Sequence, residues 1–403
     1  MGRPKSPKWV EPAGAGGGGL GKGSETQAGL DPGWIERVRR ELVAWYRDVG
    51  RDLPWRADRD PYRVLVSETM LVQTTVAAVV PYFARFLERF PDVGALAAAE
   101  ESQVVKAWEG LGYYRRARQL HAAARRIVAE HGGAVPSDIE SLRGLPGVGR
   151  YIAGAVASFA FDLPAPIIEA NTQRVLARWL AIETDLKPSA TQARLWAAAG
   201  QLVPEIGAGE FNQAFMELGG TLCTPKAPRC LVCPVSPDCR ARQRGLQNQL
   251  PIMTPKAPPT MVVEAAALVE RGGRTLVVKR PERGLWPGFW EFPTIHAAGA
   301  NPALRLSSIE SATLDLAEGV RRLTGVNVRI GSLAKTISFG VTRHKVRLDA
   351  FYGVPLDSDS AANPEAREVA WVDRQTLMEL TFGAASRRLF PLLGREIPSG
   401  FDP

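Results

Sequence analysis

The sequence predicts an all-α domain joined by a linker to an α+β domain. From about residue 34 to residue 241, apolar residues recur at spacings of three and four, the period of a helix with one buried face. Residues 242–259 lose this period and are rich in Gln and Pro, which is typical of a linker. From residue 260 onward, short runs typical of strands surround one helical run.

In the first domain, Gly and Pro mark turns such as RDLPW, EHGGAVP and LRGLPGVGR between the helical runs. Those runs are WIERVRRELVAWYRDVG, YRVLVSETMLVQTTVAAVVPYFARFLERF, SQVVKAWEGLG, ARQLHAAARRIVAEHG, RYIAGAVASFAF, TQRVLARWLAIET and QARLWAAAGQLVPE. The predicted strands of the second domain are VVEAAALVE, RTLVVKR, VNVRIGSL and KVRLDAFYGV, and its predicted helix is LDLAEGVRRLTG.

Composition indicates a soluble intracellular protein with an acidic partner. With 403 residues, of which 45% are hydrophobic, the chain can build two or three cores. The net charge of +8 favours a polyanion, and nucleic acid is the natural candidate. No run of eighteen apolar residues exists, so no membrane span is expected. Residues 1–30 are expected to be a disordered Gly-, Pro- and Lys-rich tail rather than a signal peptide.

All four cysteines lie close together, at Cys223, Cys230, Cys233 and Cys239, with the spacing C-x6-C-x2-C-x5-C. In a reducing compartment such a group is expected to hold a metal centre rather than disulfides. A structural zinc site is one possibility. A [4Fe–4S] cluster is favoured, because zinc ribbons have two close pairs and this loop has one. Basic residues make the loop a phosphate-facing projection: Lys226, Arg229, Arg240 and Arg242.

Two segments before the cysteines are candidates for DNA chemistry. Residues 142–161, LRGLPGVGRYIAGAVASFAF, have the form of a helix-hairpin-helix, in which Gly147 and Gly149 permit a tight turn whose N–H groups can hold a phosphate. An ordinary loop is the alternative. Residues 163–174, LPAPIIEANTQR, place Glu169 and Asn171 after an apolar approach. Taken alone, that segment is typical of a helix cap.

Hairpin, acid and cysteine loop together resemble the helix-hairpin-helix DNA glycosylases that carry an iron–sulfur cluster. Within them, the chain resembles the adenine DNA glycosylase (MutY) family, strongly over residues 34–240 and weakly over 260–395. The motifs, in order, are LPWRADRDPYRVLVSETML, WEGLGYYRRARQLHAAA, LPGVGRYIAGAVAS, RVLAR and FNQAFMELGGTLCT. The resemblance implies a helix-hairpin-helix glycosylase domain at 31–222, a [4Fe–4S] loop at 223–241 and an α+β Nudix-like domain at 260–396.

The resemblance also implies roles for individual residues. Glu68 takes the place of the acid that protonates adenine, and Tyr113 that of the wedge inserted beside the lesion. Tyr151 stands where bifunctional relatives such as endonuclease III carry a Schiff-base lysine, so efficient strand cleavage is not expected. Gln73 remains in register with the family, although Val72 stands where the family usually has glutamine. The family's catalytic aspartate, in DGN, is replaced by Glu169 in EAN.

The chemistry can also be argued from the residues. Breaking an N-glycosidic bond needs an acid on the leaving base and a negative charge beneath the oxocarbenium ion. Glu68 lies in an apolar helix, where burial would raise its pKa and retain a proton; an exposed helical glutamate is the alternative. Glu169 would be the ionised partner, with Asn171 orienting it or the attacking water. The target base must be flipped out. Several arginines suit phosphate contacts or a solvated face: Arg115, Arg116, Arg118, Arg125 and Arg126.

Residues 277–293, VVKRPERGLWPGFWEFP, carry much of the resemblance to a Nudix-like domain that inspects 8-oxoguanine. Arg321, Arg322 and Leu323 stand where a Nudix hydrolase needs acids for Mg²⁺, so the domain is predicted to read rather than hydrolyse. The reading loop is predicted at Thr342, Arg343 and His344, and an ordinary β-turn is the alternative.

The expected function is monofunctional removal of adenine mispaired with 8-oxoguanine or guanine in base-excision repair. The expected partner is double-stranded DNA with such a mispair, bound by a monomer in the cytoplasm, at the nucleoid if the source is bacterial. Two alternatives stay open. One is an endonuclease III-like glycosylase/lyase, and the other is a lesion-binding protein that has lost catalysis through the departures at Glu169 and Val72.

Overall fold

The computed structural model describes residues 29–255, 257–281, 286–296, 309–359 and 367–394. Of the predicted tail at residues 1–30, residues 1–28 lie outside the described residues. Across the part that is described, no helix has the length and apolar character needed to cross a membrane.

Residues up to 243 form the predicted all-α domain, and its helices begin at polar caps. Asp31, Asp60, Asp92 and Asp138 each accept a hydrogen bond from a backbone N–H in the first turn of the helix that follows. The helices are α1 Pro32–Val49, α2 Pro61–Leu71, α3 Val76–Arg89, α4 Val93–Ala98, α5 Glu101–Ala107, α6 Arg115–His131, α7 Ile139–Gly144, α8 Arg150–Phe161, α9 Ala170–Trp179, α10 Ser189–Leu202, α11 Ala208–Thr221 and α12 Arg240–Gln243.

One helical prediction was wrong in its continuity. The run from residue 62 to residue 90 is broken between α2 and α3, where Gln73 has a φ of +61° and Thr75 caps α3 by accepting from the N–H of Ala78. The apolar spacing continues across the break, so periodicity could not locate it. The break matters because residues 72–75 line a cavity that also contains Glu68 and Glu169.

Two apolar cores hold the helices in place. Val66 of α2 and Val156 of α8 belong to one core, and Val175 of α9 and Phe215 of α11 belong to the other. Both cores include side chains with no exposed surface, such as Trp108 in the first and Leu218 in the second. Helices α2, α8 and α9 thus meet along the boundary between the cores, where polar side chains collect.

The second domain is α+β, as predicted. Strand β1 lies between β2 and β6, with antiparallel pairing to β2 and parallel pairing to β6, in the order β3-β2-β1-β6-β5. The strands are β1 Thr260–Arg271, β2 Arg274–Lys279, β3 Trp290–Glu291, β4 Thr294–His296, β5 Val326–Val341, β6 His344–Asp359 and β7 Val369–Val372. The helices are α13 Ile309–Thr324, α14 Arg374–Glu379 and α15 Ala384–Arg387.

The four predicted strands and the predicted helix are confirmed as β1, β2, β5, β6 and α13. Strands β3, β4 and β7 were not predicted. They are two to four residues long, which is too short for a period of two to be recognised.

Candidate active site

A cavity of about 790 Å³ lies where α2, α8 and α9 meet. Its lining includes four of the predicted site residues with carboxyl, phenol or amide groups: Glu68, Tyr151, Glu169 and Asn171. Gln73 and Val72 line its rim from the break after α2. The structure therefore brings residues together that lie up to about 100 positions apart in the sequence.

Glu68 is a buried carboxyl, with 2% of its surface exposed, so the alternative of an exposed helical glutamate is wrong. The hydroxyl of Tyr151 donates a hydrogen bond to its Oε2 at 2.5 Å. Burial raises the pKa of Glu68 to about 7, and the negative charge of Glu169 acts in the same direction. The Tyr151 hydrogen bond and the charge of Arg56 lower it, but burial is the larger effect.

Glu169 occupies the N-cap of α9, which confirms the helix cap. Its Oε1 accepts from the N–H of Thr172 at 2.9 Å and its Oε2 accepts from Nδ2 of Asn171 at 3.1 Å. The hydroxyl of Thr172 in turn accepts from the N–H of Glu169 at 2.8 Å. Burial raises the pKa of Glu169, while these donors and Arg174 oppose the rise. Because fixed donors meet both of its oxygens, Glu169 is the carboxyl better suited to hold a negative charge.

Asn171 is held in place from the side opposite Glu169. Its Oδ1 accepts from Arg174 at 2.8 Å, and Arg174 also donates to the carbonyls of Cys223 and Gly219, each at 2.7 Å. Gly219 is needed here, because a Cβ at this position would come within 2.7 Å of the Cβ of Asn171. The carboxylate site is thereby connected to the start of the cysteine loop through hydrogen bonds that are buried or partly buried.

A cationic wall of the cavity was missed by the sequence analysis. Arg51 and Arg56 line the cavity, and both donate to Glu217 of α11, whose side chain has no exposed surface. These two arginines hold the pKa of Glu217 below its usual value despite its burial. Arg56 lies in the LPWR motif, but nothing in the sequence links it to an acid 161 positions away.

Arg116 corrects the prediction that the arginines near the wedge suit phosphate contacts or a solvated face. It is buried, and its Nη1 donates to the carbonyls of Met70 and Val72 at 2.7 and 2.5 Å, while its Nη2 donates to Gly112 at 3.1 Å. It therefore satisfies carbonyls at the end of α2, which helps to explain why that helix stops there.

The remaining arginines of α6 differ from one another. Arg118 pairs with Glu101 and donates to the carbonyl of Pro287, and Arg126 pairs with Glu130. Arg115 and Arg125 are exposed on the outer face of the helix. Of the five arginines at positions 115–126, only Arg115 and Arg125 could contact a phosphate without first breaking one of the contacts described above.

The predicted DNA-inserting residues project from loops with unusual backbone. Tyr113 has a φ of +49° and 52% of its surface exposed. Gln73 is also exposed, and its φ is +61°. Since non-glycine residues avoid this region of φ, both loops are held by their surroundings.

The predicted hairpin lies between α7 and α8. Gly147 has a φ of +77°, which favours glycine, and a Cβ there would meet Gln119 at 2.6 Å. Gly149 is in extended conformation with open space around it, so it does not require glycine for the turn. It forms the N-cap of α8, without a side-chain cap, and is exposed. The first turn of α8 is therefore free of side-chain caps and can meet an anion.

All four cysteines line one small cavity. Nη1 of Arg178 donates to Sγ of Cys223 at 3.2 Å. Among the described residues, no three His, Cys, Asp or Glu side chains lie close enough together to hold one metal ion. A tetrahedral zinc site needs sulfurs about 3.8 Å apart, since Zn–S is about 2.3 Å. The structure therefore brings the four predicted ligands to one cavity.

In the second domain, Thr342 and Arg343 form the two-residue turn between β5 and β6, and His344 begins β6. Thr342 has a φ of +51°, and both turn residues are exposed. These residues therefore lie in and beside a β-turn, and their role in lesion reading stays a prediction. Nδ1 of His344 is buried without a hydrogen-bond partner in the described structure. Arg321, Arg322 and Leu323 lie on α13, as predicted.

The matches to known protein families divide the chain into the same two domains as the structure does. Residues 66–201 match the family described as "HhH-GPD superfamily base excision DNA repair protein". Residues 265–392 match the family described as "NUDIX domain". Together they confirm the predicted fold class of a helix-hairpin-helix glycosylase domain joined to a Nudix-like domain.

Curated relatives carry the name "Adenine DNA glycosylase". The relative from Rattus norvegicus is 40% identical over 65% of this chain, which spans 61% of that relative's length. The relative from Mycolicibacterium smegmatis is 43% identical over 51% of this chain and 69% of its own length. The relative from Homo sapiens is 33% identical over 88% of this chain and 74% of its own length. This chain therefore belongs to the adenine DNA glycosylase family.

Proposed function

We propose that this protein is a monofunctional DNA glycosylase that removes adenine mispaired with 8-oxoguanine or guanine in base-excision repair. The observation that carries the proposal is the pair of buried carboxyls, Glu68 and Glu169, on one cavity. One has a pKa near 7, and the other has donors fixed on both oxygens. Environments that separate two carboxyls in this way divide them into an acid and an anion.

In the proposed reaction, Glu68 gives its proton to the adenine as the bond to C1′ breaks, and the bond's electron pair leaves with the base. Glu169 stabilises the oxocarbenium ion, held in position by Asn171 and the N–H of Thr172. Water adds to C1′, and the proton that the water loses restores the acid. Every residue needed for these steps lines the cavity or supports one that does.

Tyr151 favours a monofunctional enzyme over the glycosylase/lyase alternative. A lyase needs an amine to attack C1′ and form a Schiff base. The Tyr151 hydroxyl instead donates to Glu68, and burial together with the nearby carboxylates raises its pKa well above 10. A phenol held in this state is a hydrogen-bond donor and not a nucleophile.

The proposed partner is mispaired double-stranded DNA, bound by a monomer. Tyr113 and Gln73 project from exposed loops beside or on the cavity, and the turn at Gly147 presents the start of α8. Arg115 and the net charge of +8 favour contact with phosphates. The turn at Thr342 and Arg343, followed by His344, is proposed to inspect the 8-oxoguanine.

We further propose that Cys223, Cys230, Cys233 and Cys239 hold a [4Fe–4S] cluster. The four thiols share one cavity, and their spacing includes one close pair instead of the two of a zinc ribbon, which supports this choice over zinc. Bound there, the cluster would cross-link the loop and keep its arginines facing DNA. Absorbance at about 400 nm, together with iron in the purified protein, would support the cluster. Stoichiometric zinc without that absorbance would contradict it.

The test of the function is a duplex with adenine opposite 8-oxoguanine. After incubation and alkali, strand cleavage at the adenine is expected, whereas cleavage without alkali is expected to stay near background. Tight binding of the duplex with no alkali-dependent cleavage would favour the lesion-binding alternative. A duplex with adenine opposite thymine is the matched control.

A further inference from the structure

The loop that bears Tyr113 is held from the second domain. This wedge loop, residues 109–114, connects α5 to α6. Glu109 at its start accepts from Nη2 of Arg387 at 2.8 Å, from Nε of the same guanidinium, and from the N–H of Phe382 at 3.2 Å. Arg387 and Phe382 belong to the Nudix-like domain, so the two domains meet at the wedge loop.

The contact is built and not incidental. The side chains of Glu109 and Arg387 are 9% and 24% exposed. Lys106, one turn before Glu109, pairs with it at 3.0 Å and donates to the carbonyls of Met378 and Leu380 at 2.8 and 2.7 Å. Glu109, Arg387 and Lys106 form a partly buried group of one acid and two cations. Such a group holds its side chains in one geometry, whereas the members of a surface ion pair move and are screened by solvent.

The other end of the wedge loop is also held by the second domain. The ring of Tyr114 packs edge-on against Phe289, with 4.5 Å between the ring centres, and its hydroxyl accepts from the N–H of Gly110 at 3.1 Å. Phe289 is 1% exposed and lies within a core of the helical domain. Tyr113 therefore stands between two residues, Glu109 and Tyr114, that both contact the Nudix-like domain.

We propose that Glu109 and Arg387 form a positioning pair, through which the Nudix-like domain sets the wedge loop so that Tyr113 can insert beside the target nucleotide. This inference rests on the proposed function. Neither side chain lines the carboxylate cavity, so the pair acts through Tyr113 and not on the chemistry. The domain proposed to inspect the lesion would thus also hold the loop that opens the duplex.

The test measures extrusion of the base separately from its release. The full chain is bound at saturation to a duplex with 2-aminopurine in place of the target adenine, opposite 8-oxoguanine, and the rise in fluorescence reports the unstacked fraction. Arg387→Met is expected to lower that rise about fivefold, with duplex affinity changed less than about threefold. Glu109→Gln keeps the side-chain volume and is also expected to lower the fluorescence rise. It serves as the test variant if Arg387→Met does not fold.

A double-mutant cycle separates positioning from general stability. In a Tyr113→Ala background, Arg387→Met is expected to lower the fluorescence rise by less than about a further twofold, because both changes remove the same insertion. Arg321→Met is the control, because Arg321 forms an exposed pair with Glu318 in the same domain; it is expected to match wild type.

Multiplicative losses in the double variant, a normal fluorescence rise for Arg387→Met, or no rise for the wild-type chain would overturn the inference. Wild-type extrusion that depends on Arg387 but is not followed by adenine release would contradict the proposed function and leave the positioning pair intact. Where release occurs, its rate should fall with extrusion, and the pH dependence of release should not move.

Discussion

The hydroxyl of Tyr151 lies 2.5 Å from Oε2 of Glu68, inside the cavity that also contains Glu169. A hydrogen bond to a carboxylate stabilises its charged form and lowers its pKa. Burial acts in the opposite direction and is the larger effect, so the pKa of Glu68 remains at about 7. Without the hydrogen bond from Tyr151, the pKa of Glu68 would be higher still, and the acid would give up its proton less readily.

The first prediction concerns the pH dependence of adenine release. Glu68 must be protonated, so the single-turnover rate should fall about tenfold per pH unit above about 7. Tyr151→Phe removes a hydrogen bond that lowers the pKa of Glu68, and this alkaline fall should therefore move to higher pH. Rates measured from pH 5 to 9 on one duplex check the shift. Movement to lower pH would show that Tyr151 does not stabilise the carboxylate.

The second prediction concerns stability. The pKa of Glu68 rises from 4.5 to about 7 on folding, so the folded chain holds this proton more tightly. That contribution is complete below pH 4.5 and is lost as pH rises through about 7, with a cost on the order of 3 kcal/mol. Glu68→Gln cannot ionise and should abolish adenine release.

Thermal unfolding at pH 6 and pH 8.5 tests the part of this cost that falls above pH 6, on the order of 1 kcal/mol. The stability of Glu68→Gln relative to wild type should increase between the two pH values. A stability difference that does not change with pH would mean that the pKa of Glu68 is not raised in the folded protein. Glu183→Gln, at an exposed position paired with Arg244, is the control and should show no such trend.

The sequence predicted the helices with clear apolar faces. A helix that is buried on one side has apolar residues at regular spacings of three and four, and this spacing can be read from that segment alone. It also predicted Glu68, Glu169 and Asn171 as site residues, from the chemistry of their segments together with the family resemblance, and Tyr151 from the resemblance alone. It could not predict Glu217 with Arg51 and Arg56, because that ion pair joins α11 to residues more than 160 positions away. Pairings at such separation are set by helix packing.

Arg116 shows the same limit within one short segment. The run of arginines at 115–126 has a basic composition that suits DNA, and composition cannot distinguish the buried member from the exposed ones. The distinction depends on where α2 ends, because the free carbonyls there are what Arg116 binds. The break after α2 was itself not visible in the apolar spacing.

The third prediction separates Arg115 from Arg116. Arg116→Met leaves buried carbonyls at the end of α2 without a donor and should cost on the order of 3 kcal/mol of unfolding free energy. Arg115→Ala, on the exposed neighbour, should leave the unfolding temperature unchanged and reduce the salt dependence of duplex binding by about one phosphate contact. Chemical denaturation and binding at several salt concentrations measure the two effects. An equal loss of stability in both variants would contradict the assignment.

The fourth prediction uses the double role of Glu169 as helix cap and catalytic anion. In Glu169→Gln, the amide oxygen can still accept from the N–H of Thr172, so the cap of α9 should lose less than about 1 kcal/mol. The negative charge beneath the oxocarbenium ion is gone, and the single-turnover rate of adenine release should fall by about a thousandfold or more.

Denaturation, duplex affinity and release are measured on the same preparation. Retained folding and binding with lost release would assign Glu169 to the chemistry. Thr172→Ala is the matched control, because it removes the hydroxyl that completes the cap but leaves the carboxylate and the Thr172 N–H in place. It should lose stability by about 1 kcal/mol while keeping most of the rate. If Glu169→Gln releases adenine at a rate close to wild type, the family's anion is supplied by another group and Glu169 is only a cap.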